Sequence, residues 1–185
     1  MRTMMRWALA PLTLLVLAGC SGEDDKGTVA EPASQTVGAT LKSGDDFGRL
    51  EGVMTNAGLG EVLDGKGPYT VFAPSDAAFG SAGGPDFASE AMRAKGVALL
   101  RAHIVPGALT RADIGAAIER GQNQRVEMRT MADGLLTFSK DGETIVVTAP
   151  DGATARLTGD ERIASNGAVQ PIDALLVKPT ETPAA

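Results

Sequence analysis

The spacing of apolar residues changes once along this chain, and the change limits the fold more than any other feature. Before Gly121 the apolar positions recur at steps of three and four, as on one face of a helix. After Arg125 they alternate, as on one face of a strand: Val126, Met128 and Thr130 interleave with Glu127, Arg129 and Met131. Asp133-Gly134, Asp141-Gly142 and Asp151-Gly152 then separate short β-prone runs and supply hairpin turn chemistry. Helices first and an antiparallel strand set second make the class α+β.

The helical half divides further. Asp45 or Asp46 is placed to cap a helix carrying Phe47, Leu50, Val53 and Met54. Leu59, Val62 and Leu63 suggest a short turn of helix ending at Asp64-Gly65. Tyr69-Thr70-Val71-Phe72 reads as a strand, and Pro74-Ser75-Asp76 starts a short helix with Ala77, Ala78 and Phe79. Ser75 or Asp76 can accept from the free N–H groups at that start. A longer helix is expected from about Phe87 to Ile104, with Gly96 as an interruption and Val105-Pro106-Gly107 as its stop. Thr110 begins another, with Ile114 and Ile118 inward and Gly121 at its end. Among the strands, Leu136–Phe138, Thr144–Val147, Ala155–Leu157, Arg162–Ser165 and Ala168–Ile172 precede a last one, Ala174 to Val177.

The ends of the chain read differently. Arg2 and Arg6 precede Trp7–Ala18, apolar but for Thr13 and too short to cross a ~30 Å hydrocarbon core as a helix. A basic start, a short apolar middle and small residues before a cut site describe a secretory signal. Leu17-Ala18-Gly19-Cys20 resembles the lipobox of bacterial lipoproteins, which implies removal of residues 1–19 and lipid on Cys20. Residues 20–37 are polar and rich in Gly, Thr, Pro and Ser, with too little apolar surface to offset chain entropy. They are expected to be a flexible tether, with a reach of ~70 Å extended and ~25 Å as a coil. A domain over 38–179 and a disordered tail over 180–185 follow.

Cys20 is the only cysteine, so the domain has no disulfide and no thiolate metal site, and its core must hold it alone. Loss of Arg2 and Arg6 leaves 15 basic residues against 23 acidic ones, a formal charge of −8. Such a chain is a poor partner for nucleic acid, which demands cationic patches. It is also a poor electrostatic match to anionic lipid. The expected membrane contact is the acyl anchor, and two or more chains make it durable.

Two stretches in order resemble the fasciclin-domain family: Tyr69-Thr70-Val71-Phe72-Ala73-Pro74-Ser75-Asp76-Ala77-Ala78-Phe79, and Asn166-Gly167-Ala168-Val169-Gln170-Pro171-Ile172-Asp173-Ala174-Leu175-Leu176-Val177-Lys178-Pro179. Leu99–Gly107, with His103 at its centre, is similar to the family's histidine segment. The resemblance implies a single fasciclin-like domain and work in adhesion or envelope interaction. It marks Thr70, Phe72, Pro74, Asp76, Phe79, His103, Asn166, Gly167, Ile172 and Asp173 as motif positions. Physically these read as structural. Phe72 and Phe79 are core, Pro74 stiffens a turn, and Asp76 suits the positive end of its helix. Asn166-Gly167 is a tight turn, Ile172 an inward strand residue, and Asp173 a partner for backbone. Two positions depart from the family: Ala102 stands where a tyrosine often precedes the histidine, and Gln170 where a second histidine is frequent.

His103, the only histidine, is a poor basis for a zinc site, which needs three or four convergent ligands, with no free cysteine to join it. Ser75, Ser81 and Ser165 lack a nucleophile-elbow context for a triad. The glycine pairs lack the P-loop pattern, and Glu23-Asp24-Asp25 lacks that of a calcium loop. The reading is therefore a non-enzymatic protein without metal or cofactor, lipid-anchored in the cell envelope, with an unidentified protein or glycan partner. With two membranes, Ser21 after the cysteine points to the outer one. The alternatives are a binding module for a small apolar or carbohydrate ligand, which needs a pocket between helices and sheet, and a hydrolase.

Overall fold

The computed structural model describes residues 33–83 and 86–178. The expected signal segment, Cys20, most of the expected tether, Pro179 and the expected tail over 180–185 lie outside the described residues.

The first element is α1, Val37–Lys42, capped by the Thr36 hydroxyl, which accepts from Ala39 N at 3.1 Å. The composition of 20–37 gives no sign of this start. The fold reaches back to Gln35, whose carbonyl accepts from Ser165 N. Helix α2, Gly48–Ala57, carries the expected inward set Leu50, Val53 and Met54. Neither Asp45 nor Asp46 caps it: the cap position falls on Phe47, which has no side-chain acceptor to offer. Helix α3 is the short Gly60–Asp64.

Strand β1, Tyr69–Pro74, includes Pro74 as its last residue. Helix α4, Asp76–Ser81, starts at Ser75, whose Oγ accepts from Ala78 N at 3.2 Å. A 3-10 turn over Glu90–Met92 leads into α5, Arg93–Ala102. This helix is shorter than the apolar spacing suggests. It stops at His103, and Ile104–Pro106 forms β2. Gly96 does not interrupt it. A side chain there would press on the Phe87 carbonyl and Val53, so Gly96 lets α5 lie close to α2. Helix α6, Arg111–Arg120, has a full capping box between Thr110 and Asp113.

The strands β3 Arg125–Arg129, β4 Leu135–Asp141, β5 Thr144–Thr148 and β6 Thr154–Arg156 form an antiparallel meander. Two glycines of the Asp-Gly pairs, Gly142 at φ 62° and Gly152 at φ 79°, take the left-handed conformation their turns need. The last strands, β7 Arg162–Ala164 and β8 Gly167–Ile172, join through Ser165-Asn166. The expected strand at Ala174–Val177 does not form. Asp173–Lys178 runs outside any ladder as a strap.

The second sheet has the order β2-β1-β8-β7. Its centre corrects the expectation of a wholly antiparallel set, because β1 and β8 pair in parallel, from Tyr69 opposite Gly167 to Pro74 opposite Ile172. This sheet is covered on both faces. Val71, Ala73 and Val169 join the core under α1–α5, with Phe47, Leu50 and Leu100. Phe72, Val105 and Ile172 join a second core with Phe138, Val147 and Ile118, between this sheet, the meander and α6. The Phe72 and Phe138 rings lie 5.1 Å apart. Parallel pairs are stable where both faces are buried, and these alternating residues supply that burial. Among the described residues no helix is long and apolar enough to cross a membrane.

Candidate functional site

The two long motifs stand about a hundred residues apart in sequence, yet one is β1 and the other β8. Their parallel pairing gathers the motif side chains into three groups along one seam.

At the start of the seam, Asn166 spends its whole amide. Its Oδ1 accepts from Val37 N at 2.7 Å, and its Nδ2 donates to the Leu63 and Gly65 carbonyls at 2.8 and 2.7 Å. Gly167 follows at φ 154°, and a Cβ there would collide with the Tyr69 carbonyl. Glycine is required for β8 to come this close to β1.

At the middle, three fully buried polar side chains cross between elements. Thr70 Oγ1 donates to the Gly107 carbonyl at 2.7 Å and accepts from Leu109 N at 2.9 Å. Gln170 Nε2 donates to the Leu109 carbonyl and to Glu161 at 3.1 and 2.8 Å, and its Oε1 accepts from Arg111 Nε at 3.2 Å. His103 has no exposed surface. Its Nδ1 lies 2.8 Å from the Leu99 carbonyl, and its Nε2 lies 2.9 Å from Leu176 N. Leu176 N can only donate, so Nε2 holds the lone pair and Nδ1 holds the proton. Burial pushes the His103 pKa down to about 4, against a smaller upward pull from the Leu99 carbonyl.

At the far end, Asp76 sits in the first turn of α4, but its carboxylate serves another helix. Its Oδ1 accepts from Arg49 N at 2.8 Å and so caps α2. The acid expected to favour its own helix thus supplies the cap that Phe47 cannot. Pro74 and Ile172 are paired across the seam, Phe79 is 8% exposed in the core under the helices, and Asp173 Oδ1 accepts from Arg156 N at 2.7 Å.

Thr70, His103 and Asn166 spend their side-chain polar atoms inside the fold, while Asp173 stays exposed. His103 has both nitrogens engaged, and none of its hydrogen bonds is to a serine. Among the described residues no three His, Cys, Asp or Glu side chains converge as metal ligands. The buried network also includes Arg111 and Glu161, which the sequence reading passes over. Arg111 Nη1 and Nη2 donate to the Gly159 and Thr158 carbonyls, each at 2.6 Å, while Glu161 accepts from Arg111 N at 2.7 Å. A cation in the first turn of α6 opposes the helix dipole, and that misfit is the signal that marks Arg111.

Three shallow clefts lie on the surface formed by the described residues. One of about 540 Å³ lies between α6 and the meander, with Glu119, Lys140 and Glu143 at its rim and Ile145 and Leu157 at its floor. One of about 670 Å³ lies beside the β7–β8 turn, against Pro68, Ala108 and Ile163. Ile163 is 48% exposed, unusual for so large an apolar side chain. The third, about 380 Å³, opens between α2 and α4.

Residues 45–178 match the family model of the fasciclin domain. The chain belongs to the fasciclin-domain family. It is 32% identical over 171 residues to human Stabilin-1, covering 91% of this chain and 6% of that protein. The mouse Stabilin-1 is 33% identical over 154 residues, and again this chain spans 6% of it. Protein sll1483 of Synechocystis is 29% identical over 154 residues, 81% of this chain and 77% of that one. Among solved structures, a fasciclin domain pair from the insect cell adhesion molecule Fasciclin I aligns with a TM-score of 0.58 at 23% identity, over 71% of this chain and 45% of that one. The fasciclin fold is therefore the α+β arrangement described above, and its motif residues hold the β1–β8 seam together.

Proposed function

We propose that this fasciclin domain works in the bacterial envelope as a lipid-anchored adhesion or matrix-interaction module, held through Cys20 and binding a protein or glycan without covalent chemistry. Support comes from the solved relative, described as a cell adhesion molecule, and from the lipobox-like Leu17-Ala18-Gly19-Cys20. The observation that carries the reading is internal. Thr70, His103, Asn166 and Gln170 all spend their polar atoms inside the fold, which leaves recognition to the surface. A second reading, capture of a small ligand, is favoured by the cleft between α6 and the meander. Its volume of about 540 Å³ suits a small molecule, although its rim is charged rather than apolar.

The test uses the full chain and its Cys20→Ala variant expressed in a bacterium. Intact mass should show acylation that the variant lacks. Wild-type protein cross-linked in the envelope should capture a protein or glycan, and an ester and glycan panel should show no turnover. Unmodified Cys20 overturns the anchor. Turnover overturns the non-covalent role.

A further inference from the structure

The strap Asp173–Lys178 closes over both cores, since Leu175 packs with the helices and Leu176 with the meander. It is tied to the backbone at its start, where Asp173 N donates to the Arg156 carbonyl at 3.2 Å beside the Leu157–Ile172 bridge. Two of its backbone N–H groups are held by side chains: Leu176 N by His103 Nε2 at 2.9 Å, and Lys178 N by Asp151 Oδ2 at 2.7 Å. Beneath Leu176 and Val177 lies a small apolar hollow of about 180 Å³, floored by Ala102, Leu136 and Pro150.

We propose that His103 is a proton-operated latch, whose protonation at Nε2 removes the acceptor for Leu176 and releases the strap while the two sheets stay folded. The argument is geometric. An imidazolium has no acceptor, so its Nε2–H would face the Leu176 N–H, two donors with nothing between them. His103 Nδ1 keeps its bond to Leu99 in either state, because it donates in both. The helix end therefore survives protonation and the strap contact does not. Water reaches Nε2 only when the strap lifts, so proton uptake and release are one event.

Among the described residues no charged group is hydrogen-bonded to the ring. On α5, Arg101 turns to the Met131 carbonyl at 2.7 Å. On the strap, Asp173 accepts from Arg156 N. On the β5–β6 turn, Asp151 accepts from Ala153 N and Lys178 N. In the β3–β4 turn, Asp133 lies 3.9 Å from Arg129. The strands β1 and β2 bring Phe72 and Ile104, and carry no Asp, Glu, Lys or Arg.

Linkage gives the size of the effect. With His103 near 4 when closed and at its ordinary 6.5 when open, acidification from pH 7 to 4 favours the open state about a hundredfold. The test follows amide hydrogen-exchange protection in the full chain by NMR from pH 7 to 4, together with the His103 ring resonances. Protection at Leu176 and Lys178 should fall at least about tenfold relative to Val147 and Val169 in the sheets, in step with ring titration. His103→Gln should remove that pH dependence, and Asp151→Ala should lower strap protection at every pH without moving the midpoint. The latch is overturned if strap and sheets lose protection together, or if the ring titrates with the strap still protected. It is also overturned if His103→Gln keeps the wild-type pH response or Asp151→Ala shifts it. Should His103→Gln not fold, the wild-type titration decides alone.

Discussion

Asp76 shows how a single residue misleads when read only against its own helix. Its place after Ser75 in the first turn of α4 is what a dipole argument expects. Its oxygen instead accepts from Arg49 N and completes α2, a helix 27 residues earlier. Loss of that acceptor should cost ~1–2 kcal/mol, as for other helix caps. Asp76→Ala should show this in denaturant unfolding, and Asp76→Asn should stay close to wild type because asparagine caps as well. Equal losses in the two variants would mean that charge matters rather than the acceptor. The roles of Phe72, Asn166 and Asp173 were legible from residue type and position: a core aromatic, a turn amide and a backbone acceptor. Their partners were not. Val37, Leu63 and Arg156 lie 129, 103 and 17 residues away, and no local pattern carries such distances.

Elements were legible where their signals are local. The Thr110 start and the Gly121 stop bound α6 closely, and the Asp-Gly pairs place the turns of the meander. Elements failed where tertiary partners decide. Ile104 continues the apolar spacing of α5, yet β1 offers a ladder, and the chain leaves the helix to pair with Val71. Leu175 and Leu176 look like strand residues, but each points into a different core, and side chains rather than a strand satisfy the backbone. The parallel β1–β8 pair rests on Gly167, the one position in the last motif where a side chain would strike a neighbouring strand. Gly167→Ala should therefore cost ~2 kcal/mol or more through strain and overpacking. A thermal melt indistinguishable from wild type would contradict this placement of the seam.

For the whole molecule, stability should depend on acid in two stages. His103 is neutral when folded and ionises more readily when unfolded, so the unfolded chain takes up its proton first. Its contribution is complete above pH 6.5 and lost as pH falls from 6.5 to about 4, on the order of 3 kcal/mol at ~1.4 kcal/mol per pH unit. Asp64 acts lower. The Thr36 hydroxyl first, and then Lys42, hold its pKa below the ordinary 3.8, so its contribution persists above that value and fades beneath it. Urea midpoints taken from pH 8 to 3 should stay level to about 6.5, fall to about 4, and fall again below. A level curve down to pH 4 would mean that His103 is protonated or solvated in the folded state.

That the fasciclin motif holds the fold and leaves recognition to the surface is tested most directly by His103→Gln. Glutamine can replace one of the two side-chain bonds but not both in this geometry. Measured by urea unfolding at pH 7.5 beside envelope cross-linking, the variant should lose ~1–3 kcal/mol, the usual cost of an unsatisfied buried polar group. It should capture the same partner as wild type. A variant as stable as wild type that no longer captures the partner would contradict this account, because His103 would then serve recognition rather than the fold.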